Sequence, residues 1–180
     1  MAMSLDPQDP VDAIALAWAE ERPGTEVGSI GIVTRVWHAA KLLGEDRRRT
    51  LAAAGADTAV LDLLSVLRRS GAPYRLTTRE LADATMVTAG AISQRVARAE
   101  RDGLVVRTAR DDGSRRVDVE LTPAGHALVE ELVDRVLGRE AELVGHLDAV
   151  EQQQLAQLLR RLLDGLDHKL GKRKIGQVGD

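Results

Sequence analysis

Residues 76–122 constrain the fold more than any other part of the chain, because signals for helices and strands follow one another there at short intervals. Thr77 precedes Glu80 by three residues, which is the spacing of a capping box and predicts a helix over 78–84. Thr88 is a suitable N-cap for a second helix over 89–101. Two helices joined by so short a turn are typical of a helix-turn-helix.

Two short strands are expected directly after this pair of helices, over 104–108 and 116–121. The residues between them, 111–114 (DDGS), are typical of a tight turn. Thr122 followed by Pro123 marks the start of another helix, with a cap and then a proline at the first helical position. A hairpin in this place is the wing of a winged helix-turn-helix, so we predict a mainly α fold with a small β-wing.

The second helix of the pair has two chemically different sides on a helical wheel. Its apolar side, which we expect to face the domain core, carries Ile92, Val96 and Ala99. Its opposite side carries side chains suited to base edges in the DNA major groove, namely Gln94, Arg98 and Arg101. Arginine matches guanine and glutamine matches adenine. Each of these residues taken alone is also compatible with an ordinary polar helix surface.

Further candidate DNA contacts lie beside this face. Ser93 on the flank of the helix and Thr88 at its start suit phosphate oxygens or either base. In the predicted wing, Arg110 and Arg115 flank the turn and suit the DNA backbone or the minor groove.

The distribution of charge supports a nucleic-acid partner although the chain as a whole is acidic. The chain carries 25 basic residues against 28 acidic ones, a net charge of −3. Residues 75–116, by contrast, contain nine arginines and six acids. A basic patch on an acidic body binds phosphates and limits indiscriminate association. The alternative interpretation of the patch is a solvated helix face.

Several classes of protein are not expected. The chain has no cysteine, which excludes disulfides, thiol catalysis and cysteine-ligated zinc. It has no apolar run near 18 residues and no signal peptide at its start, so we expect a cytoplasmic protein without a membrane span. Its four histidines are scattered, and no nucleophile elbow, phosphate loop or metal-ligand spacing occurs. We therefore expect no catalytic residue, metal or cofactor, and no enzyme.

Helices are predicted on both sides of the winged segment. An amphipathic helix over 11–22 and a long helical segment over 26–54 come first, the latter bent or interrupted by the charge run 45–49. Asp57 is expected to cap a third helix that runs to Arg69.

A stripe of leucines marks the last of the helices after the wing. Asp148 and Glu151 form a capping box before it. The stripe follows i, i+3, i+4 spacing and comprises Leu155, Leu158, Leu159, Leu162, Leu163, Leu166 and Leu170. It is fuller than a small winged domain needs, which indicates packing against a second copy of the chain. A core within one chain is the alternative.

These patterns divide the chain into five parts. We expect a flexible N-terminus, N-terminal helices for dimerisation and ligand binding, a winged helix-turn-helix, C-terminal dimerisation helices and a flexible tail, over residues 1–10, 11–56, 57–122, 123–170 and 171–180.

The chain resembles the MarR family of bacterial transcription regulators. The resemblance rests on LTTRELADATMVTAGAISQRVARAERDGLVVR, on the wing with its acids and arginines, and on VELTPAGHALV entering a long helix. It covers residues 26 to 166. It implies a homodimer with paired winged helices that binds a pseudo-palindromic operator on double-stranded DNA, most commonly as a repressor. The chain departs from many members in that Gly113 and Ser114 separate Asp112 from Arg115.

A narrower resemblance is to the urate-responsive branch of that family. It rests on an additional N-terminal helix with a tryptophan before a proline, on LDLLSVLRRSGAPYRLT and on AGAISQRVARAE, although VARAE differs from the IDRLE usual there. It implies a small aromatic anion such as urate as the effector, with Trp18, Arg22, Asp62 and Arg95 at ligand-binding positions.

The residues themselves add modest support for such a site. Neither Asp62 nor Arg95 has an oppositely charged residue at helical spacing, so each could bind the other or an anion. The alternative interpretation is a surface Asp62, an Arg95 that binds phosphate and a Trp18 in the core. If the site exists, a ligand bound to Arg95 would displace the helix that reads DNA.

The resulting hypothesis is a ligand-responsive DNA-binding transcription regulator. The alternative from another class is a winged helix that docks proteins without specific DNA readout. A steep fall of DNA affinity with salt would distinguish the first from the second.

Overall fold

The computed structural model describes residues 9–110 and 116–171. Arg115, the turn residues 111–114 and most of the two terminal segments predicted to be flexible therefore lie outside the described residues. The chain divides into two compact units between Asp46 and Arg47. The predicted division into five parts stays a prediction.

The unit before Arg47 is helical. Helix α1, Pro10–Glu21, begins after Asp9, whose carboxylate accepts hydrogen bonds from two backbone amides of the first turn. Arg35 of helix α2, Ile30–Ala53, donates to the same carboxylate from its Nε at 2.9 Å. Helix α2 continues into the second unit without a break across 45–49, so the expected interruption there is wrong. Arginine and glutamate are good helix formers, so a run of them can continue a helix.

The second unit follows the predicted order of elements, with one additional strand, β1, that was not predicted. Its helices after α2 are α3 Thr58–Arg69, α4 Thr78–Thr85, α5 Ala89–Arg101, α6 Pro123–Val144 and α7 Ala149–Leu170. Its strands are β1 Arg75–Thr77, β2 Val105–Ala109 and β3 Val117–Leu121, which form an antiparallel sheet in the order β1-β3-β2. The mainly α fold with a β-wing is confirmed.

The predicted N-caps are all present. Side-chain oxygens accept hydrogen bonds from first-turn amides at the starts of α3 to α7, and the capping residues are Asp57, Thr77, Thr88, Thr122 and Asp148. The two capping boxes also form, with Glu80 and Glu151 accepting from the cap amides. Because each cap satisfies donors that a helix start leaves unpaired, these residues fix where the helices begin.

The core of the second unit forms around α3. Its largest buried side chains come from four helices and two strands, and they include Leu63, Leu64, Leu67, Leu81, Ile92, Val96, Val105, Val119 and Val129. A smaller cluster joins the end of α2 to α3 and α6 through Leu51, Leu61, Leu132 and Val136. The core thus holds α5 by one side only.

Helix α7 contributes nothing to this core, since none of its residues is buried. Its apolar stripe is instead on the surface of the single chain, with Leu158, Leu163 and Leu170 between 51% and 66% exposed. No single helix in the described parts of the chain is long and apolar enough to cross a membrane.

Candidate nucleic-acid interface

Helix α5 has the predicted two sides. Ile92, Val96 and Ala99 are each 1% exposed and pack in the core. Gln94 and Arg101 on the other side are exposed, and within the described residues no hydrogen bond or ion pair engages either side chain. A helix fixed by one face and capped at its start therefore presents a free amide and a free guanidinium to solvent.

Arg98, on the same outer side, is not free. Its Nη1 donates a hydrogen bond to Asp57 Oδ2 at 2.6 Å, and its Nε lies 3.8 Å from Asp102 Oδ2. Asp57 is the N-cap of α3 and accepts from the Val60 amide with its other oxygen at 2.9 Å. Partial burial opposes ionisation of Asp57, but these hydrogen bonds outweigh it and hold its pKa below the ordinary value.

The two hydroxyls predicted to contact phosphate differ in what they offer. Thr88 Oγ1 accepts from the Ala91 amide at 3.2 Å, which leaves its proton available for donation to a phosphate oxygen. Ser93 Oγ donates to the Ala89 carbonyl at 2.8 Å, so its proton is already engaged. Thr88 is thus ready to donate to phosphate, whereas Ser93 would first have to rotate.

The base of the wing is held by ion pairs. Arg110 Nε donates to both carboxylate oxygens of Asp118 at 3.0 and 3.1 Å, and Asp118 is only 8% exposed. Arg107 Nε donates to Glu100 Oε2 at 2.7 Å, which ties β2 to α5 and lowers the pKa of Glu100. The ion pair of Arg107 with Glu100 therefore links strand β2 of the wing to helix α5.

A groove of about 510 Å³ lies between the start of α4 and the wing. It is lined by Thr77, Thr78, Arg79, Glu80, Arg110 and Arg116, so three guanidinium groups meet one carboxylate. Hydrogen bonds from Thr77 lower the pKa of Glu80, and the charges of Arg110 and Arg116 add to this effect. The chemistry of the groove suits a phosphate group.

The residues expected to bind a small ligand come from three helices, α1, α3 and α5. Trp18, on α1, is 50% exposed and hence is not a core residue, and Arg22 caps the same helix at its C-terminus. Asp62 lies on α3 and Arg95 on α5, both half-buried. The assignment of these four residues to one site stays a prediction.

A second cleft, of about 290 Å³, lies between the end of α2, α3 and α6. Its apolar lining comes from Leu61, Val129, Val133, Val136 and Leu137, and its polar lining from Arg47, Ser65, Arg68 and Arg69. Arg47 Nη1 donates to Glu140 at 2.7 Å, but its buried Nε has no hydrogen-bond partner. Such a donor beside apolar walls suits an anion with an apolar body.

Two features of these sites could not be inferred from the sequence, and a third left a signal there. The pairing of Arg98 with Asp57 joins residues 41 positions apart, and nothing local signals it. Arg47 lies in the charge run 45–49, and nothing in the sequence marks it as part of a cleft. Asp118 does leave a signal, because an acid between two valines of a short strand is unusual and here marks the anchor of Arg110. No group of histidine and carboxylate side chains in the described ranges could hold a metal ion.

Comparisons with known proteins agree with this geometry. Residues 55–116 match the model of the MarR family. The chain is 25% identical over 152 residues to the HTH-type transcriptional regulator PecS of Dickeya dadantii (strain 3937), covering 84% of this chain and 92% of that protein.

Solved structures give the same picture. The apo form of wild-type MarR from E. coli superposes with a TM-score of 0.60 at 25% identity, covering 73% of this chain and 96% of that one. NadR in complex with 4-hydroxyphenylacetate gives a TM-score of 0.56 at 26% identity, covering 73% and 91%. The chain is thus similar to winged-helix transcriptional regulators of the MarR family, which are DNA-binding proteins.

Proposed function

We propose that this chain is a MarR family regulator, which binds a pseudo-palindromic operator as a homodimer and represses transcription until a small aromatic anion releases it. The observation that carries DNA binding is the outer face of α5, where Gln94 and Arg101 are exposed and unengaged within the described residues. E. coli MarR has been solved with operator DNA, which supports the same use of the fold here. The groove with Arg79, Arg110 and Arg116 would receive a backbone phosphate.

The direct test is a mobility shift on the DNA upstream of the protein's own gene, compared with a random duplex over a range of salt. We expect a sequence-dependent complex whose affinity falls steeply with salt, because each phosphate contacted releases counterions. A reporter gene under the control of the same upstream DNA should be expressed less when the protein is present. Weak, sequence-blind binding would favour a protein-docking winged helix instead.

Gln94 is expected to contribute to sequence readout. Replacing Gln94 with alanine should weaken binding to the upstream DNA by about ten-fold, since a bidentate base contact is worth roughly 1–3 kcal/mol. Binding to the random duplex should change little. The matched control is Gln157→Ala on α7, an exposed glutamine on another helix. Equal losses on both duplexes would show that Gln94 does not read bases.

The effector is proposed from the chemistry of the cleft between α2, α3 and α6. An apolar lining with three arginines and a buried unsatisfied N–H of Arg47 suits an aromatic carboxylate or a comparable anion such as urate. NadR binds 4-hydroxyphenylacetate, an anion of this class. A tenfold loss of DNA affinity requires a coupling of only about 1.4 kcal/mol between ligand and DNA.

Two variants separate this cleft from the four residues that the urate-responsive resemblance implies. In the presence of urate or 4-hydroxyphenylacetate, Arg47→Met should abolish release from the upstream DNA if the anion binds in the cleft. Glu140→Gln is the control, because it removes the ion pair of Arg47 and keeps the guanidinium. If Arg95→Ala abolishes release and Arg47→Met does not, the ligand site is the one around Asp62 and Arg95.

A further inference from the structure

Arg98 lies between two carboxylates on the surface proposed to face DNA. Asp57 Oδ2 accepts its hydrogen bond at 2.6 Å, and Asp102 Oδ2 lies 3.8 Å from its Nε. One positive charge therefore meets two negative charges at this corner of α5. A DNA phosphate approaching Arg98 meets a local charge of −1, which repels it.

We propose that Asp57 is a specificity-determining residue, which keeps Arg98 from random phosphates and releases it only to an acceptor that binds it more strongly. The inference rests on the proposed function, since it presupposes that α5 contacts DNA. Asp57 is suited to this role because its two oxygens have separate tasks. Oδ1 accepts from the Val60 amide and fixes the start of α3, while Oδ2 holds Arg98.

The strengths of the two competing contacts of Arg98, with Asp57 and with a base, favour this role. Arg98 and Asp57 are 51% and 44% exposed, and exposed ion pairs change an equilibrium constant by only about two- to five-fold. A bidentate contact of arginine with a base changes it by roughly five- to 150-fold. A matching base can therefore compete with Asp57 for Arg98. A single solvent-screened phosphate binds Arg98 too weakly to break its ion pair with Asp57.

Asparagine at position 57 separates the two tasks of the carboxylate. It keeps a side-chain oxygen that caps α3, because asparagine is as good an N-cap as aspartate. It removes the charge that holds Arg98. Asp57→Asn should therefore retain the thermal unfolding midpoint to within a few degrees while Arg98 becomes available to any phosphate. Asp164→Asn on α7 is the control for the change in net charge, since Asp164 is exposed on another helix.

The experiment measures the salt dependence of Kd of the full-length protein for the upstream DNA and for a random duplex. We expect Asp57→Asn to bind the random duplex about five- to ten-fold more tightly at low salt. The slope of log Kd against log salt concentration should steepen by the amount that about one additional phosphate contact gives. The upstream DNA should gain only about two- to three-fold, so discrimination falls. In an Arg98→Gln background, the same substitution should no longer steepen the slope.

Three results would overturn the inference. Discrimination and slope unchanged by Asp57→Asn, in a protein that binds the upstream DNA specifically, would contradict the role of Asp57 and leave the proposed function intact. A steeper slope that persists with Arg98→Gln would show that the effect is general charge and does not act through Arg98. A wild-type protein that binds neither duplex would refute the proposed function, and this inference with it.

Discussion

Replacing Gly125 with alanine is expected to destabilise the second unit by about 2–3 kcal/mol, the upper range for forcing extra volume into a packed site. A Cβ at this position would lie 2.0 Å from the Leu104 carbonyl oxygen and 3.2 Å from Leu121 Cδ2. The first obstacle is backbone and cannot move aside as a flexible side chain does. The start of α6 would therefore have to shift away from the corner between α5 and β2.

That corner is held by several hydrogen bonds that the shift would strain. The Thr122 amide donates to the Leu104 carbonyl at 3.1 Å, and Thr122 Oγ1 donates to the Gly103 carbonyl at 2.7 Å. The same hydroxyl accepts from the Gly125 amide at 3.0 Å. Because the corner also ends α5, the effect of the substitution should extend to the helix proposed to read DNA.

Gly138→Ala is the matched control for Gly125→Ala, since it makes the same chemical change in the same helix. No atom lies within 4 Å of a Cβ at Gly138, and alanine favours helix over glycine by up to about 1 kcal/mol. Urea unfolding at a fixed protein concentration measures both variants. The expected results have opposite signs. If Gly125→Ala were as stable as Gly138→Ala, the close approach of α6 to Leu104 would not exist.

The winged segment was predictable because its signals are local. Each capping side chain lies within three residues of the amide that donates to it. The helices that begin after Thr77, Thr88 and Thr122 can therefore be predicted without knowledge of the rest of the fold. The buried side of α5 was predictable for a related reason, since helical periodicity alone places Ile92 and Val96 together.

Strand β1 could not be predicted from the residues near it in the sequence. Its three residues, Arg75–Thr77, have no alternation long enough to mark a strand. They are extended because Leu76 pairs with Val119 of β3, which lies more than forty residues further along the chain. A three-residue edge strand is specified by its partner, and no window of sequence that omits β3 contains the information.

The sites show the same division between local and distant information. The exposed positions of Gln94 and Arg101 follow from the helical wheel. The pairing of Arg98 with Asp57 does not, because it depends on how α3 and α5 pack. The charge run that contains Arg47 was wrongly expected to interrupt α2, and it gave no sign of the cleft, since helix continuity and the cleft both depend on tertiary structure.

Replacing Leu159 with glutamate is expected to weaken self-association by more than 100-fold. Leu159 lies in the stripe of α7, of which Leu155, Leu158 and Leu166 are all at least 42% exposed in the single chain. A two-fold interface that buries this stripe would bury two glutamates, one from each protomer. Burying a carboxylate without a partner costs several kcal/mol, and a factor of 100 corresponds to only about 2.7 kcal/mol.

Sedimentation or light scattering over a range of protein concentrations measures this change directly. The matched control is Gln157→Glu, which adds the same charge to the same helix on the side away from the stripe and should leave association unchanged. Loss of the dimer should also abolish the shifted complex on the upstream DNA, because one winged domain makes only half of the contacts with a two-fold operator. A Leu159→Glu protein that remains a dimer would place the self-association surface elsewhere. A wild-type protein that is monomeric at every concentration would refute the proposed dimer itself.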